Sequence, residues 1–279
     1  MKRKVKTKVK GFRTTDGAGV KLVRVLGNLT TKEFDPILML DSFDSINPDD
    51  YTAGFPMHPH RGIETISYVS RGKMVHRDSL GNEAGISDGE VQWMNSGSGI
   101  MHEEMVPAAE RLLGVQLWLN LPAKDKMSKP SYNSKKNEDI KEIEIEGGKI
   151  RLLAGKYGEH EGYKGDYLSM DYYDIHLNAD AEVTLTMEED DSVMVFTLLG
   201  DVYIDGEHIE EKTAVKLTEG DSLTIKNGNE KAQVLYMNSR ALNEPVAWAG
   251  PIVMNTQEEL QKAFLELRSN TFIKETAEY

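Results

Sequence analysis

The chain has 279 residues, enough for two domains of about 100–150 residues each or one larger one. Apolar residues make up 39% and charged residues 28%, a globular rather than a disordered composition. The net charge of −13 repels phosphate backbones and anionic headgroups, which argues against nucleic acid as a direct ligand, and the absence of cysteine excludes disulfides, thiolate metal sites and cysteine nucleophiles.

A period of two dominates the chain from its start. Lys4 to Lys10 alternates lysine with Val5, Thr7 and Val9, the pattern of an exposed strand guarded by lysines against edge pairing. The basic start is followed by no apolar stretch, so no secretory signal is expected. Short strands rich in Val, Ile, Tyr and Trp follow at 64–69, 73–77, 90–95 and 113–119, separated by glycine turns. From Pro122 to about Glu142 the pattern breaks into a lysine-rich stretch with Pro122 and Pro130, read as a partly ordered connection.

Strands resume at 143–145 and 150–154, then at 172–177, 183–187, 193–198, 214–217, 222–225 and 232–237. The longest strongly apolar run, Val193 to Leu199, is far short of the ~20 residues a membrane helix needs, and a cytoplasmic protein is expected. Thr256 and Glu259 form a capping box ahead of Leu260, Phe264 and Leu267, so one helix is predicted over 257–268. The two halves also resemble each other. Gly72 and the turn Asp88-Gly89 in the first half correspond to Gly200 and the turn Glu219-Gly220-Asp221 in the second. This pattern predicts an all-β chain of two tandem jelly-roll barrels, joined by a duplication and closed by a short C-terminal helix.

Seven histidines are distributed unevenly. His58 and His60 project to one side of a strand, as do His102 and Glu104. If these strands face each other across a barrel, three imidazoles and one carboxylate converge on a divalent first-row metal and leave room for water, substrate or dioxygen. Glu64 competes for the carboxylate position. His76 is open to three roles: ligand, partner of a ligand, or packed imidazole, the last preferred. His160, His176 and His208 lack a neighbouring ligand and are assigned structural or solvent roles.

The run from Phe55 through His58-Pro59-His60-Arg61-Gly62 to Tyr68 resembles the signature of the pirin family, a branch of the cupin superfamily. So do Gln92 to Met105, Phe34 to Asp41, Gly114 to Pro122, and Gly250 to Thr256 followed by a helix, so the resemblance covers nearly the whole chain. It implies a bicupin: a metal-binding cupin barrel at 1–123, a linker at 124–146, and a metal-free barrel with the terminal helix at 147–279. It implies one divalent metal per chain, Fe(II) by preference, with Mn, Ni, Co, Cu or Zn as alternatives. The ligands it implies are His58, His60, His102 and Glu104; the family pattern ranks Glu104 above Glu64.

The activity implied is that of a quercetin 2,3-dioxygenase, which opens a flavonol with O2. In that chemistry Glu104 is both ligand and base, and Phe55, Met57, Ile66 and Met94 are candidates for an apolar pocket. The alternative implied is an iron-dependent redox-sensing regulator that binds a transcription factor or metabolic enzyme, with Arg61 at the mouth of the site as transmitter; its bland counterpart is a surface salt bridge. A monomer is expected in either case. An isomerase or decarboxylase that uses the metal as a Lewis acid is a third reading.

Overall fold

The computed structural model describes residues 1–275 and divides the chain into two compact units. One comprises residues 13–31, 37–136 and 242–279; the other comprises 1–12, 32–36 and 137–241. Among the described residues, no helix is long and apolar enough to cross a membrane.

The unit containing the H-x-H motif has a seven-stranded antiparallel sheet. Its order is Ser131–Lys135, Glu90–Asn95, Ile63–Arg71, Leu112–Asn120, Ile37–Ser45, Val20–Leu26, Phe12–Asp16. A second, four-stranded sheet runs Phe55–His60, Ile100–Met105, Lys73–Asp78, Glu83–Ser87. Phe43, Val69, Met74, Ile86 and Leu112 form an apolar core in this unit. The other unit repeats the plan. Its seven strands are Val5–Lys10, Thr213–Leu217, Ser192–Leu199, Ala232–Ser239, Met170–Leu177, Gly148–Ala154 and Lys141–Ile145. Its four-stranded sheet is Glu182–Thr186, Ser222–Asn227, Val202–Ile204, Glu207–Ile209. Each unit is thus a cupin barrel of seven plus four strands in matching order, as a duplication requires.

The expected boundaries at 123 and 147 differ from the observed units. Val5–Lys10 is an edge strand, as its lysines predict, but it pairs with Thr213–Leu217 and so completes the second barrel. Arg3 anchors it there by donating to the carbonyls of Glu188, Asp191 and Thr218. Residues 242–279, conversely, belong with the first barrel. Nor is 124–146 a loose linker. Ser131–Lys135 pairs with Glu90–Asn95, and Lys141–Ile145 pairs with Gly148–Ala154.

The helix Gln257–Arg268 matches its predicted span. Thr256 accepts from the Glu259 amide, and the Glu259 carboxylate accepts from the Thr256 amide. The chain reaches this helix through a close crossing at Gly62, whose φ of +79° and 1.9 Å gap between a notional Cβ and the Val253 carbonyl admit only glycine.

Candidate metal centre

The strands carrying the two histidine motifs do not face each other across the barrel. Phe55–His60 and Ile100–Met105 are adjacent and antiparallel, with His102 directly opposite His58 and Ile100 opposite His60. Lys73–Asp78 flanks the other side, with Asp78 opposite His102 and His76 opposite Glu104. Residues in register share a face, and so do alternate residues along a strand. One face of the small sheet therefore presents His58, His60, His102, Glu104, His76 and Asp78 together.

Three of these gather their donors. Ring atoms of His58, His60 and His102 all lie within 4.8 Å of one another. Hydrogen bonds to the far nitrogens set which tautomer each ring takes in its neutral form. His58 Nδ1 donates to the Pro56 carbonyl (2.8 Å), and His60 Nδ1 donates to the Pro251 carbonyl (2.9 Å). Behind His102 the chain of bonds is longer. His76 Nε2 donates to Asp78 Oδ2 (2.8 Å), which leaves His76 Nδ1 as an acceptor for His102 Nδ1 at 3.4 Å. Each of the three neutral imidazoles is thereby left with a lone pair on Nε2.

Two observations test the fit to a metal. Nε2 of His58 and His60 stand 3.1 Å apart, and two lone pairs at that distance repel unless a shared proton or a cation reconciles them. His102 Nε2 is buried and has no hydrogen-bond partner, which is costly for a polar atom. Burial and the neighbouring His58 hold the His60 imidazole down to about 3, and burial with its three imidazole neighbours holds His102 well below the usual range. Protons therefore compete weakly for these two nitrogens. The donor set fits a divalent transition metal held by neutral imidazoles.

Glu104 lies one pleat beyond His102 but outside the group of three. Its Oε1 accepts from Gln92 Nε2 (2.6 Å) and Ser67 Oγ (3.2 Å), and its Oε2 from Gln116 Nε2 (2.7 Å). Those partners come from three neighbouring strands of the large sheet, where Gln116, Ser67 and Gln92 stand in one register row. A carboxylate has about four acceptor positions, so one remains on Oε2.

The alternation that turns Ser67 inward turns Glu64 and Ile66 to the opposite face, which removes both from the interior. Of the other proposed pocket residues, Met94 shares the inward face with Gln92, while Phe55 packs edge-on against Phe43 and Met57 is 48% exposed. Arg61 is neither at a mouth nor a surface pair. It is 2% exposed, donates to the carbonyls of Ser98 and Phe272, pairs with Glu266 at 2.8 Å and lies over the Phe272 ring. His176 and His208 bond to Asp174 and Asp201, and His160 is exposed.

The sequence reading missed several residues that shape the centre. Trp118 meets the His60 ring edge-on at 4.9 Å, and Tyr132 stacks on His76 at 4.1 Å. Asp78 is held by the amides of Leu80 and Asn82; burial raises its carboxyl, but the bonds from His76 and from the Asn82 side chain and amide outweigh it and keep the carboxyl below the usual range. The available signal was His76-Arg77-Asp78, a second pair at i, i+2 on a strand.

Two cupin barrels in tandem, with a cluster of three imidazoles in the first, define a bicupin with a metal-binding geometry. Residues 19–119 match the Pirin family and residues 172–273 match the Pirin C-terminal cupin domain. A pirin-like protein of Caulobacter vibrioides is 38% identical over 268 residues, covering 95% of this chain and 97% of its own. Pirin of Homo sapiens is 35% identical over 277 residues, covering 96% and 93%. A crystal structure of quercetin 2,3-dioxygenase from Acinetobacter baumannii superposes with a TM-score of 0.89 at 29% identity, covering 98% of this chain and 99% of that one. The chain belongs to the pirin family.

Proposed function

We propose that this protein is a metal-dependent dioxygenase that opens a flavonol such as quercetin with O2, using one Fe(II) per chain. The observation that carries the reading is the set of three Nε2 lone pairs fixed by hydrogen bonds at the opposite ring nitrogens, beside a buried carboxylate. His58, His60 and His102 would hold the metal, with Glu104 as the fourth ligand. A divalent metal bound there supplies Lewis acidity toward a substrate oxygen and a redox-active centre for dioxygen.

The chain's own groups supply the rest. The one acceptor position left on Glu104 Oε2 would serve the metal before the substrate arrives and take the flavonol hydroxyl proton when freed, while Gln92, Ser67 and Gln116 hold the carboxylate in place. Trp118 on His60 and Tyr132 on His76 give the centre an aromatic surround suited to a flat substrate. The similarity to the Acinetobacter baumannii quercetin 2,3-dioxygenase supports the substrate class.

The regulator reading is weakened by the burial of Arg61, which takes the proposed transmitter away from any partner. The test is anaerobic loading with Fe(II), followed by quercetin and air, with dissolved oxygen and evolved carbon monoxide followed together. Consumption of O2 with release of CO is expected. Iron-loaded protein that consumes no O2 would sink the dioxygenase reading.

A further inference from the structure

The second barrel has the strand plan of the first but an interior filled with apolar side chains. Val183 and Leu185 stand on the strand corresponding to Phe55–His60, and Leu223 and Ile225 on the one corresponding to Ile100–Met105. At one end of this interior the chemistry changes. Along Ala232–Ser239, Val234 and Tyr236 enter the core, so Asn238, two residues further, points the same way. Its register partner on Met170–Leu177 is Asp171. These two and Asp191 line a cavity of about 660 Å³, within the size range of small-molecule sites of roughly 300–1,000 Å³.

Asn238 is 6% exposed, and its Nδ2 donates to Asp171 Oδ2 at 3.2 Å. Its Oδ1 has no hydrogen-bond partner. A buried amide oxygen at the base of a cavity asks for a donor from whatever enters. Burial and the nearby Asp191 charge both push the Asp171 carboxyl up, so a cation arriving there relieves two unfavourable contributions at once. The exposed side of the same cavity carries Lys156, Lys164 and Arg240 against a single carboxylate, Glu161, and none of the three cations makes a salt bridge among the described residues. Tyr167, Leu168 and Met170 add apolar wall.

Acceptors at the base, cations at the rim and an apolar wall describe a zwitterion with a hydrocarbon side chain. We propose that this cavity binds a free α-amino acid with an apolar side chain. The ammonium donates to Asn238 Oδ1 and the Asp171 and Asp191 carboxylates, and the carboxylate faces Lys156, Lys164 and Arg240. The site lies wholly within residues 137–241 and does not depend on the metal chemistry.

Saturation-transfer NMR and titration calorimetry on the full chain test this with three probes: L-leucine, L-leucinamide, which lacks the carboxylate, and N-acetyl-L-leucine, which lacks the ammonium. L-leucine is expected to bind, with both analogues at least tenfold weaker. Asn238→Leu should weaken L-leucine at least tenfold. Because that change is buried, the exposed pair Lys164→Ala with Arg240→Ala gives a second reading that leaves the fold alone; it should weaken L-leucine and leave L-leucinamide unchanged. No saturation transfer from L-leucine, equal binding of all three probes, or undiminished L-leucine binding in the double variant would overturn the proposal.

Discussion

The pairing of His58 with His60 is legible because H-x-H on a strand puts two rings on one side, whereas His102 joins them only through the strand pairing. Their supports are illegible for the latter reason. Ser67, Gln92 and Gln116 lie on three separate strands with no motif linking them in the sequence, and only the sheet register brings them to Glu104. Pro251 lies 191 residues from the ring it orients. Asp78 acts at one remove, by holding His76 as an acceptor for His102. Asp78→Asn should therefore lower metal affinity about 10–100-fold without changing the ligands, as metal-competition titration would record. An unchanged affinity would remove Asp78 from the arrangement.

Lys126 has a different consequence. It is buried, donates to the carbonyls of Gly62 and Val253 and to Asn120 Oδ1, and burial pulls its ammonium down to about 7. The unfolded chain holds this proton up to about 10.5, so between about pH 7 and 10.5 the unfolded state binds more protons than the native state. The Lys126 contribution to stability must then rise with pH across that window. Urea unfolding of the wild type and of Lys126→Met over pH 6–10 should show a relative gain for the wild type above pH 7, and parallel curves would refute it.

At the level of elements, the lysine-alternating Val5–Lys10 was foreseeable, whereas Val20–Leu26, Ile37–Ser45 and Ser131–Lys135 were not. Glu90–Asn95 and the helix Gln257–Arg268 have the spans their periodicity predicts. Ser131–Lys135 carries no apolar alternation, since it is an edge strand whose place depends on an exposed row of backbone groups on Glu90–Asn95. The crossing at Gly62 belongs to this scale too. Gly62→Ala forces a side chain into the Val253 carbonyl and into a left-handed backbone, and should cost more than about 1 kcal/mol in denaturant unfolding. Because the same segment carries the Pro251 acceptor for His60, metal retention should fall with stability. A variant as stable as the wild type would mean that the crossing is loose.

For the molecule as a whole, the duplication was readable in the turn spacing, while the division of the chain was not. Which barrel receives the first strand depends on which sheet edge is open, and an alternating lysine strand suits either. Removal of residues 1–12 takes the edge strand and the Arg3 anchor from the barrel that contains Thr213–Leu217. Hydrogen exchange should accelerate at Thr213–Leu217, while the metal content of the truncated chain stays at the wild-type value. Loss of metal alongside would show that the two units do not hold their structure separately.

The swapped terminal segments also set a timetable for biosynthesis. A ribosome releases this chain from its first residue onward, yet the barrel with the three imidazoles takes in residues 242–279, and Pro251 among them sets one ring. A nascent chain halted after residue 136 holds every histidine of the cluster but lacks that carbonyl, while its opening strand still awaits a partner not yet translated. The surroundings of His60 thus await synthesis of Pro251, and a gene cut between the two barrels yields two fragments that each carry a piece of the other.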